Sequence, residues 1–121
     1  MPRVTHFEVH ADNPERAAAF YAKAFDWQIS KWEGPQDYWL VGTGTDAEAG
    51  IDGGLMKRSN GEHTVVTINV PSFDEYRARI EAAGGRIVTP KMAVPGVGYM
   101  AYCVDTEGNT FGIMQTDPGA K

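Results

Sequence analysis

The chain has 121 residues, enough for one domain with its own core. Hydrophobic residues make up 42% and charged residues 22%, the balance of a globular chain. The net charge of −5, with no basic stripe, excludes a nucleic-acid-binding surface, and no apolar run approaches a membrane span.

Val4 to Val9 alternates, with Phe7 and Val9 on one strand face and His6, Glu8 and His10 on the other. Met1-Pro2-Arg3 leads straight into this strand, so no signal peptide is visible. Asn13 caps a helix and Pro14 suits its first position, where a missing N–H costs nothing. Ala17, Phe20, Tyr21, Ala24 and Phe25 follow at helical spacing. Three strands are predicted next, Trp27 to Trp32, Tyr38 to Gly42 and Gly50 to Lys57, separated by Gly34-Pro35 and Gly42-Thr43-Gly44 turns. Ser59-Asn60-Gly61-Glu62 is a turn, and His63 follows it as a surface or a cleft-mouth histidine.

A second strand–helix sequence starts at Thr64. Val66, Ile68 and Val70 face one way, and Val65, Thr67 and Asn69 the other. Ser72-Phe73-Asp74-Glu75 is a capping box, and Phe73, Tyr76, Ile80 and Ala83 form the helical stripe. Gly84-Gly85 ends the helix. Arg86 to Thr89, Tyr99 to Val104 and Thr110 to Thr116 supply three strands, the last two joined by the Asp105–Asn109 turn. Gly54-Leu55-Met56-Lys57 thus returns as Gly112-Ile113-Met114-Gln115, 58 residues on. The pattern is one βαβββ unit written twice, about 4–57 and about 64–116, within a single domain of the α+β class with eight strands. Two copies imply a cleft. Cys103, the lone cysteine, excludes an internal disulfide and reads as a buried, inert thiol, which fits a bacterial cytoplasm.

The chain resembles the vicinal oxygen chelate superfamily of glyoxalase I, bleomycin-resistance proteins and extradiol dioxygenases. The residues that carry the resemblance are His6-Phe7-Glu8-Val9, Asp12-Asn13-Pro14-Glu15-Arg16-Ala17, Phe20-Tyr21 and Val104-Asp105-Thr106-Glu107-Gly108-Asn109. Pro90-Lys91-Met92 and Pro95-Gly96-Val97-Gly98 add likeness to glyoxalase-related members without an assigned reaction. The resemblance implies curled mixed sheets facing a ligand cleft, a homodimer, and in the enzymes one divalent metal held by the first and last strands of each unit. Of the four ligand positions so implied, His6 alone carries a donor. The others fall on Val65, Gly54 and Gly112, and His63 is a remote substitute.

His6, Glu8 and His10 are either a polar cleft floor, with His6 and Glu8 as catalytic candidates, or a solvated sheet face. His6 and His10 lie about 13 Å apart along the strand and do not suit one shared metal. Gly54 and Gly112 mark either a bulge or room for a bulky ligand. Met56 and Met114 line an adaptable apolar wall or fill the core, and Thr67 joins the ligand candidates. From the aromatic stock of Trp27, Trp32, Tyr38, Trp39, Tyr99 and Tyr102, Trp39 and Tyr99 are the expected ligand contacts. Pro95-Gly96-Val97-Gly98 is a lid or a rigid turn. The expected function is binding of a small apolar or aromatic molecule without the family's complete metal site. The alternative is a glyoxalase-like lyase or isomerase built around His6, with a metal or an acid–base site of unusual composition.

Overall fold

A computed structural model describes residues 1–59 and 61–121. Asn60, in the predicted turn before His63, lies outside the described residues. In chain order the elements are β1 (Arg3–Ala11), α1 (Pro14–Phe25), β2 (Gln28–Lys31), β3 (Tyr38–Gly42), β4 (Gly53–Lys57), β5 (Thr64–Asn69), α2 (Phe73–Ala82), β6 (Arg86–Ile87), β7 (Met92–Val94), β8 (Gly98–Val104) and β9 (Thr110–Thr116). The fold is α+β with mixed parallel and antiparallel pairing, as expected. The chain divides into two compact units, His6–Val65 and Met1–Thr5 with Val66–Lys121.

In the His6–Val65 unit the strands lie in the order β2-β3-β4-β1, with β1 parallel to β4 and the other pairs antiparallel. Register sorts the side chains. Glu8, Gly54, Leu40 and Ser30 form one row, and His10, Met56 and Tyr38 the next row on the same face. Val9, Leu55, Trp39 and Lys31 form a row on the opposite face. Leu55 and Val41 are buried on that second face. Helix α1 starts where the Asn13 side chain accepts the Arg16 N–H. It ends at Asp26, a left-handed cap with φ of 60°. Tyr21 stacks on Trp27 at 5.1 Å between ring centroids, and Trp27 lies 6.0 Å from Phe7. No α1 residue is fully buried, and Phe20 and Phe25 are each 58% exposed, so the helical stripe is less covered than its spacing suggests.

In the second unit the order is β5-β9-β8-β6, with β7 paired to β8. Strand β7 is additional to the three expected after α2, so the described residues hold nine strands rather than eight. The predicted strand at Arg86–Thr89 is cut short because the Thr89 hydroxyl takes the Tyr102 N–H that a backbone carbonyl would otherwise accept. Phe73, Val70, Ala101, Cys103 and Ile113 form the core, with Tyr76 and Ile80 packed against it. Ala83 is an exposed C-cap rather than part of that stripe. Ser72 caps α2 by accepting the Glu75 N–H at 3.2 Å, and Gly84 takes the positive φ of 100° that ends the helix. Pro95–Val97 is a turn that leads into β8 at Gly98: Val97 N–H bonds the carbonyl of Val94, and Gly96 N–H bonds the carbonyl of Ala120.

Candidate functional site

Strand β1 places His6, Glu8 and His10 on one face, and two of them are buried polar groups. Glu8 is 6% exposed and His10 4%. Burying such groups is costly unless they are hydrogen-bonded. Here a chain of bonds links them. His10 Nε2 lies 3.2 Å from Glu8 Oε1. Tyr38 donates its hydroxyl to Glu8 Oε2 at 3.1 Å. His6 Nε2 lies 2.9 Å from the Tyr38 oxygen. His6 and Glu8 therefore communicate through a tyrosine.

Tyr38 reaches β1 from two strands away, a gap of roughly 10 Å at ordinary strand spacing. It crosses β4 at Gly54. A side-chain carbon at Gly54 would fall on the Tyr38 hydroxyl itself. The glycine is thus neither a bulge nor an empty space; it is the notch through which the phenol passes. Trp32 stands edge-on to Tyr38, with 6.3 Å between ring centroids. Leu40 and Met56 occupy the same sheet face, and Leu40 is 46% exposed.

The electrostatics centre on His6. Burial holds its imidazole below the usual histidine range, while the Glu8 and Asp52 carboxylates act in the opposite direction. Asp52 is fixed on its loop by accepting the Thr43 N–H at 2.8 Å.

The other sequence-derived candidates divide by register. Gly54 and Met56 share the face of His6, Glu8 and His10. Trp39 pairs with Leu55 on the opposite face, beneath the Lys31 ammonium at 5.4 Å. In the second unit Thr67, Gly112 and Tyr102 form one row, and Met114 with Met100 the next row on that face. Tyr99 pairs with Gln115 on the other face, where Lys91 sits 5.0 Å from its ring. His63 is exposed, and its backbone carbonyl accepts the His10 N–H at 2.8 Å. Val65 is fully buried. Tyr38 and Trp32 belong to the site although sequence reasoning did not single them out. The only signal for Tyr38 is a tyrosine on the strand beside a strand glycine, and its meaning depends on register.

Residues 3–113 match the family model described as Glyoxalase/Bleomycin resistance protein/Dioxygenase superfamily. A protein named as a candidate glyoxylase, CFP32, occurs in Mycobacterium bovis and Mycobacterium tuberculosis. It is 30% identical over 115 residues in each, covering 92% of this chain and 43% of the relative. The chain therefore spans less than half the length of these relatives. Among solved structures, a methylmalonyl-CoA epimerase in complex with methylmalonyl-CoA and NH4+ superposes with a TM-score of 0.71 at 12% identity, covering 100% of this chain and 99% of that one. Methylmalonyl-CoA epimerase from Mycobacterium tuberculosis gives 0.68 at 12% identity, covering 95% and 88%. These likenesses establish the fold. No helix among the described residues is long and apolar enough to cross a membrane.

Proposed function

Since the chain belongs to the Glyoxalase/Bleomycin resistance protein/Dioxygenase superfamily, we propose that it binds a small apolar or aromatic molecule against the His6–Glu8–His10 face, without the family's complete metal site. The observation that carries this reading is the Tyr38 hydroxyl lying where a side chain at Gly54 would begin. A carboxylate ligand at that position and the tyrosine in its present place exclude one another. That no group of three His, Cys, Asp or Glu side chains is gathered among the described residues supports the reading without the family's metal. Trp32, Leu40 and Met56 supply apolar contact beside the polar chain of His6, Tyr38 and Glu8. A small-molecule ligand is in keeping with the coenzyme A derivative bound by a protein of the same fold. A cytoplasmic homodimer belongs to the same reading and is checked by light scattering in solution.

The test is metal content after mild purification and after soaking with nickel, zinc, manganese and iron, followed by tryptophan quenching with a hydrophobic compound panel. Trp32, beside Tyr38, is the natural reporter. Absence of stoichiometric metal together with saturable quenching supports the reading. Stoichiometric metal that disappears in His6→Ala overturns it.

A lyase or isomerase is the second reading, and one observation favours it. The hydrogen-bond chain ends on a histidine whose neutral form is preferred, a suitable acid–base group. Turnover of 2-oxoaldehyde adducts that is lost in His6→Gln supports it.

A further inference from the structure

We propose that Tyr38 and Glu8 position His6 as a fixed hydrogen-bond acceptor, so that the ligand of this face is an apolar body carrying a hydroxyl donor, of the phenol type. This rests on the binding function proposed above.

A tyrosine hydroxyl has one hydrogen, and that of Tyr38 is given to Glu8 Oε2. Its oxygen can therefore only accept from His6, 2.9 Å away, which places the imidazole hydrogen on Nε2. A neutral imidazole has one N–H, so Nδ1 carries a bare lone pair. The bond to Tyr38 engages Nε2 and leaves Nδ1 for a ligand or solvent. The carboxylates of Glu8 and Asp52, which act electrostatically on His6, are acceptors when ionised and supply no donor to Nδ1. A half-buried acceptor beside Leu40, Met56 and Trp32 calls for a ligand that is apolar over most of its surface and donates one hydrogen bond. A carbon acid fits less well. Its developing oxyanion needs a donor, and both the Tyr38 O–H and the His10 Nε2 are directed at Glu8.

Two measurements on the full chain test the proposal. The first is the ¹⁵N signature of the imidazoles near neutral pH. The expected result is an Nε2–H tautomer for His6 in the wild type and a mixture of tautomers in Tyr38→Phe. An Nδ1–H tautomer in the wild type overturns the positioning role whatever binds, and needs no variant to fold. The second is calorimetric titration with phenol and with anisole, in which a methyl group replaces the donor hydrogen. Phenol should bind about tenfold more tightly, the worth of one hydrogen bond, and Tyr38→Phe should erase most of that preference. Equal affinities overturn the ligand class. If neither compound binds while other apolar compounds quench the tryptophans, the ligand class falls and the binding function stands. If no compound binds, the binding function falls and the ligand class falls with it, while the tautomer still decides the role of Tyr38.

Discussion

The hydroxyl of Tyr38 occupies the space in which a side chain at Gly54 would start. Its repeat partner Gly112 is different. There an added carbon would meet Thr67 Oγ1 at 3.2 Å, a side-chain atom that can turn aside. Two glycines in equivalent sequence contexts therefore have unequal physical reasons.

Gly54→Ala and Gly112→Ala should separate these reasons. In Gly54→Ala the ring of Tyr38 must swing out, breaking both of its recorded hydrogen bonds. A loss of about 1–3 kcal/mol is expected for overpacking, against less than about 1 kcal/mol at Gly112. Urea midpoints measure both. Equal losses would mean that the notch has no special role.

Glu8 gathers the Tyr38 O–H and the His10 imidazole in a nearly solvent-free setting. Glu8→Ala leaves both without that acceptor, and a loss of about 1–3 kcal/mol is expected. Glu8→Gln retains one acceptor oxygen and should lose less. Denaturation of the two variants side by side checks the order.

The depressed pKa of His6 has a definite sign in stability. The folded form binds its proton less readily than the unfolded chain, whose histidines titrate near about 6.5. Above that value the contribution is fully present. It is lost as pH falls toward the lower folded value, because the unfolded state then binds more protons. Stability should therefore fall between pH 7 and pH 5, and His6→Gln should flatten that slope. A slope unchanged in the variant would assign the effect to other groups.

Cys103 is buried in the core of the second unit, and burial pushes its thiol up to about 11. Thiolate is the reactive species, so labelling by iodoacetamide near pH 8 should be slow in the native protein and fast in denaturant. Prompt native labelling would show that the β8 strand opens readily.

Much of the frame was legible in the amino-acid order. Asn13 and Ser72 announce the two helix starts because their side chains accept N–H groups that a first turn leaves bare. The Asp105–Asn109 turn is legible because a carboxylate can accept from Glu107 and Asn109 close by in sequence. Strand β7 was not legible. Met92–Val94 is three residues long and gains its identity only by pairing with β8.

Local chemistry, acting over a few residues, is written along the chain. For this reason periodicity, caps and the repeated Gly-Leu-Met and Gly-Ile-Met determined the elements, the family likeness and the polar face of β1. Which way Trp39 and Tyr99 point depends on strand register, and a shift of one residue reverses every side chain. The bond between Tyr38 and Glu8 needs three strands aligned side by side with a gap in the middle one. Such an alignment exists only once distant segments pair, so tertiary structure alone decided it.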